Sequence, residues 1–140
     1  MIVGSEWRWR FCGFESAEEQ QPVQSWFDGL PEDVKDEMGD LLRHLEKMTT
    51  SLWRKPEYDP LDGEPFISEL RGRSVTIMVD GKLKTFTPRI YGFFGPDPRT
   101  YTFLHGTNKN ARNDTYGKRI ARERLEKLLG GAAAVHEFKF

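Results

Sequence analysis

The chain of 140 residues carries a single cysteine, Cys12, so it cannot form an internal disulfide or assemble a thiolate metal site. Phe11 and Phe14 surround that cysteine, and the thiol is expected to behave as a small buried hydrophobe. No apolar run approaches the roughly 18 residues needed to cross a bilayer. The first ten residues lack the apolar core of a secretory signal; Trp7-Arg8-Trp9-Arg10 alternates instead. These absences predict a cytoplasmic protein with no membrane partner. Also missing are His-x-x-x-His, Cys-x-x-Cys and the Gly-x-x-x-x-Gly-Lys phosphate loop, so no resident metal or cofactor is expected. The length suits one domain, 1–140.

The net charge of −1 conceals a division. Residues 1–65 hold seven Lys and Arg against fifteen Asp and Glu, a net of −8, whereas residues 66–128 hold thirteen against six, a net of +7. Such asymmetry points to nucleic acid. It is equally compatible with two halves that pair with each other inside the fold.

Local patterns then predict the elements. Large apolar and charged residues alternate over 6–14, the period of a half-buried strand. Val23, Trp26, Phe27, Leu30, Val34, Met38, Leu41, Leu42, Leu45, Met48 and Leu52 recur in steps of three and four, the stripe of an amphipathic helix. Gly29-Leu30-Pro31 divides it into helices over about 22–29 and 31–53. Pro56, Pro60, Gly63 and Pro65 form a breaker cluster. Strands follow over 66–70, 75–79, 82–94 and 100–104, with Asp80-Gly81 signalling a tight hairpin and Pro88 an edge or bulge. Asn113-Asp114 opens a basic helix over 115–129 that Gly130-Gly131 ends, and 135–140 reads as a short last strand. The expected class is α+β: two N-terminal helices packed on one face of a small antiparallel sheet, with a C-terminal basic helix.

Candidate chemistry concentrates in 66–128. Arg71 stands at a strand end, where a guanidinium can fork onto a phosphate, and Arg89 would lie on a neighbouring strand. Tyr91 shares the face of Arg89 and can stack on a base. His105 has an ordinary pKa near 6.5, suited to proton transfer. On the basic helix Lys118 and Arg122 lie four apart, with Arg119 one step around. RNA can be cut without a metal, because its 2′-hydroxyl is an internal nucleophile that needs only a base, an acid and cations around the phosphorane.

The order Glu69-Leu70-Arg71, then Pro88-Arg89-Ile90-Tyr91, then Phe103-Leu104-His105-Gly106 and Lys109, resembles the RelE/HigB superfamily of toxin ribonucleases, most closely its phage-derived HigB-like branch. The resemblance spans roughly 7–128 and is most specific over 66–128. It implies a RelE-like fold and a toxin of a type II toxin–antitoxin system, a metal-independent endoribonuclease that cuts mRNA on the ribosome. The implied partners are the ribosome, mRNA and a cognate antitoxin of helix-turn-helix type. Arg71, Arg89, His105 and Lys109 would then be catalytic, with Tyr91, Arg112, Tyr116, Lys118, Arg119, Arg122 and His136 contacting RNA. The chain departs from the pattern at Thr107, where Phe is usual, and at Asn110, which replaces a second Lys. Asn113-Asp114-Thr115 also stands in place of a Thr-Pro helix opening. The reduced charge there leaves a second expectation: a non-catalytic phage or prophage regulator of the same fold, binding nucleic acid or protein.

Overall fold

A computed structural model describes residues 8–49, 53–108 and 114–140. The elements are β1 (Arg10–Glu15), α1 (Pro22–Asp28), α2 (Glu32–Leu45), β2 (Tyr58–Pro60), β3 (Ser68–Arg71), β4 (Val75–Val79), β5 (Lys82–Phe86), β6 (Pro88–Phe94), β7 (Thr100–Asn108), α3 (Thr115–Leu129) and β8 (Ala134–Glu137). Six strands form one sheet in the order β2-β3-β6-β7-β1-β8, while β4 and β5 make a separate two-stranded sheet. No helix of the described residues is long and apolar enough to cross a membrane.

The sheet is mixed. β1 runs parallel to β7, with Phe11 opposite Tyr101, and antiparallel to β8, with Gly13 opposite His136. Phe11-Cys12-Gly13-Phe14 is buried without a break, as suits an interior strand covered on both faces. Neighbours in sequence feed opposite faces. Ile90 and Phe103 join Phe11, Val23, Phe27, Val34, Met38 and Leu42 in one apolar cluster, and Tyr91 and Leu104 join Phe93, Ala121 and Leu125 in another. Helices α1 and α2 therefore cover one face and α3 the other.

This corrects the expected RelE-like arrangement of two N-terminal helices on one face of a small antiparallel sheet. The sheet is larger, contains a parallel pair and is sandwiched between helices. The cause is visible in two stripes. β1 has no polar side to turn to water. Helix α3 presents Gly117, Ala121, Arg124 and Leu125 along one line, which needs an apolar face of its own.

Other boundaries also differ from expectation. Helix α2 stops at Leu45 instead of running to 53, because its last carbonyls are taken from outside: Trp53 Nε1 donates to Leu45 O at 3.0 Å and Trp9 N to Glu46 O at 2.8 Å. Trp53 is thereby returned to the core, where its ring meets Trp9, Tyr58, Phe94 and Tyr101. The expected strand over 82–94 divides at Thr87 into β5 and β6. The hairpin forms as read: Asp80 at φ 50° and Gly81 at φ 78° provide the two left-handed positions of the turn. Cys12 is buried, and burial raises its thiol pKa.

Candidate functional site

Three adjacent strands build the site. In β3 and β6, Glu69 lies opposite Tyr91 and Arg71 opposite Arg89. In β6 and β7, Arg89 lies opposite Thr107 and Tyr91 opposite His105. Alternation alone would have sent His105 to the same side as Phe103. A bulge prevents this: Gly92 pairs with Phe103 but Tyr91 with His105, so Leu104 is the extra residue. The imidazole ends 6.0 Å from the Tyr91 ring, and the next residue, Gly106, passes beneath the Trp26 ring on the other side. The expected residues Arg71, Arg89, Tyr91 and His105 thus share one sheet face.

Their surroundings differ. Arg71 is consumed by carboxylates: its Nε donates to Glu69 Oε1 and its Nη2 to Asp59 Oδ2, each at 2.8 Å. Arg89 is looser. Its Nε lies 3.8 Å from Glu69 Oε1, beyond hydrogen-bond reach, and is buried with no hydrogen-bond partner among the described residues. Burial pulls the Arg89 pKa down, whereas the hydrogen bonds and charge of Glu69 and Asp59 outweigh burial and raise that of Arg71. Glu69 itself is only 2% exposed.

Tyr91 is fully buried and offers no ring face to a base. Its hydroxyl donates to Asp114 Oδ2 at 2.8 Å, while Asp114 Oδ1 accepts the Gly117 amide at 3.0 Å and caps α3. Burial, then the Asp114 bond, pushes the phenol well above its ordinary pKa. Burial likewise pushes His105 down to about 4; the Arg124 guanidinium adds to the shift, and Asp114 and Glu19 oppose it. At neutral pH the imidazole is uncharged and can accept a proton. Arg124 donates to Leu104 O and to Glu19 Oε1, each at 2.7 Å, tying α3 to the segment before α1.

The remaining candidates scatter. Tyr116 is 64% exposed on the first turn of α3, with the Arg119 guanidinium 5.5 Å above its ring. Lys118 is half-buried on the same helix. Arg122 is gripped by Glu64, with its Nη2 2.8 Å from Oε2. His136 lies on β8, at the far edge of the sheet from β3, over Gly13 and beside Phe138 on the α1 side. It does not join the others. Lys109 and Arg112 lie outside the described residues.

Sequence reasoning missed Glu69, Asp59, Glu19 and Arg124. Glu69-x-Arg71 has the strand spacing that puts opposite charges side by side. Arg124 falls on the stripe of Gly117, Ala121 and Leu125, which marks a cation that must be buried and paired. Asp59 and Glu19 carry no comparable signal. Among the described residues no group of three or more His, Cys, Asp or Glu could hold a metal ion. Among the described residues the face offers a guanidinium whose Nε is unpartnered, a neutral imidazole and a locked pair of carboxylates. No protein-family model matches the chain, and no curated protein does either.

Proposed function

We propose that the protein is an endoribonuclease that cuts mRNA by attack of the 2′-hydroxyl on the adjacent phosphate, a toxin of the RelE/HigB kind. The observation that carries the reading is Arg89: a guanidinium whose buried Nε has no hydrogen-bond partner among the described residues, on the same face as a neutral His105. In the reaction the 2′-oxygen bonds to phosphorus as the P–O5′ bond breaks, leaving a 2′,3′-cyclic phosphate and a 5′-hydroxyl. Arg89 would hold a nonbridging oxygen and offset the charge that grows there. His105, uncharged, would take the 2′-hydroxyl proton, and the departing 5′-oxygen would take a proton from water. The ribosome and a neutralising antitoxin enter this reading only through the resemblance to that toxin superfamily.

The test is cleavage of ribosome-bound mRNA. Arg89→Ala should slow cutting by about two to three orders of magnitude, the usual cost of losing a preorganised charge. A 2′-deoxy sugar at the scissile position should abolish it, and cutting of that substrate would overturn the mechanism. A second reading, a non-catalytic nucleic-acid-binding regulator, is favoured by the charge balance of the cluster, where Glu69 and Asp59 offset Arg71 and Arg89. It predicts RNA binding that weakens in Arg89→Ala, with no turnover in the wild type.

A further inference from the structure

The Glu69 carboxylate stands at the centre of this face, within 3.8 Å of both arginines. We propose that Glu69 is a positioning residue, a buried carboxylate that locks Arg71 and keeps Arg89 on the sheet face with its donors free for a phosphate. The proposal rests on the reading of this face as an RNA site.

The geometry separates the two arginines. Glu69 takes the Nε of Arg71 at 2.8 Å, and Asp59 on the neighbouring edge strand takes Nη2 at the same distance. Together the two carboxylates fix both arms of one fork across β2 and β3. Arg89 stands directly across from Arg71 in register, 3.8 Å from the same Glu69 oxygen. At that distance Glu69 attracts the guanidinium without occupying its hydrogen-bonding directions. The fixed Arg71 also repels Arg89 from the β3 side. Arg89 is therefore held by opposing charges and the strand, and its Nε makes no hydrogen bond among the described residues. A carboxylate this deeply buried is costly unless it is paired, so its place among two cations calls for a role.

The rival account makes Glu69 a mere counter-charge, and the two accounts predict opposite signs. If Glu69 only cancels positive charge, Glu69→Gln should tighten binding of a phosphate chain. If it positions Arg89, the same change should weaken binding although the face becomes more positive. The probe is a short single-stranded RNA with 2′-O-methyl sugars, which binds but cannot be cut by 2′-hydroxyl attack. Wild type, Glu69→Gln and Arg71→Lys are compared for affinity and for the Nε–Hε resonances of Arg71 and Arg89 in ¹⁵N spectra. Glu69→Gln should weaken binding about tenfold, the worth of one well-placed charged hydrogen bond. The Arg89 line should broaden or exchange faster with water. Arg71→Lys keeps the charge and loses the fork, and should disturb the Arg89 line in the same way. Equal or tighter binding by folded Glu69→Gln, or an unchanged Arg89 line, would overturn the proposal. If Glu69→Gln does not fold, Arg71→Lys decides by the same readouts. If wild type does not bind the RNA, the RNA reading fails and the arginine lines alone decide whether Glu69 holds Arg89.

Discussion

A histidine enclosed beside a tyrosine ring and near a guanidinium resists protonation, since its charged form loses water and meets a like charge. His105 shows this, with its pKa pushed from 6.5 to about 4. The unfolded chain then binds a proton between those values that the folded protein does not, so stability rises with pH across the window and is lost as pH falls from about 6.5 toward 4. The effect amounts to roughly 3 kcal/mol at most. His105→Gln should flatten that part of the acid limb in urea unfolding measured between these pH values; an unchanged slope would mean that the histidine is not the titrating group. Activity should follow the same residue. If His105 is the base, kcat/KM should decline on the acid side with a midpoint near 4, not near 6.5. The residue type was legible in the sequence as a proton carrier. Its environment was not, because that depends on the Leu104 bulge and on Arg124, which is 19 positions away in the chain.

At the scale of an element, the start of α3 shows how local signals and packing can disagree. Gly117 occupies the first turn of a helix, where Ala would ordinarily gain about 1 kcal/mol from propensity. Yet a Cβ there would overlap the Asp114 carboxylate that caps the helix and would come within 3.0 Å of the Tyr91 ring. Gly117→Ala should therefore destabilise, by about 1–3 kcal/mol, through loss of the cap and overpacking. Thermal melting tests the sign, and a raised Tm would show that the cap tolerates the methyl. Helix α3 itself was legible from its polar opening and its closing glycines, as was the β4–β5 hairpin from Asp80-Gly81. Pairing was harder. The β1–β7 ladder joins residues about ninety apart, and no local period announces a parallel partner. The uninterrupted Phe11-Cys12-Gly13-Phe14 run carried the missing clue, since a strand that alternates can be half-buried but one that does not must be interior. Likewise, apolar spacing carried the helix stripe past Leu45 because it could not register that Trp53 turns back to cap the helix.

Across the whole molecule the charge division resolves partly into internal pairs. Glu19 holds Arg124, Glu64 holds Arg122, Asp59 holds Arg71, and Glu37 lies 3.7 Å from Arg73, so acidic residues of 1–65 reach across to cations of 66–128. Much of the net +7 is thus spent before any ligand arrives. A face on which every cation met a phosphate would engage about five, giving a slope of log affinity against log salt near −3.5 for a single strand. With Arg71 and Arg122 occupied, two or three contacts are a better expectation, and the slope should lie near −2. Filter binding of a single-stranded RNA between low and physiological salt measures it. A slope steeper than about −3 would mean that RNA displaces the internal carboxylates, and a flat line would mean that no phosphate is bound. The pairs can be probed one at a time. Glu64→Gln frees Arg122 on the exposed side of α3 and should steepen the slope by about 0.7 if that arginine can then reach the chain. Because the carboxylate of Glu64 is nearly buried while Arg122 is half-exposed, the released cation has room to swing toward a phosphate. An unchanged slope in a folded Glu64→Gln variant would place the bound strand away from the middle of α3 and confine it to the Arg89 face.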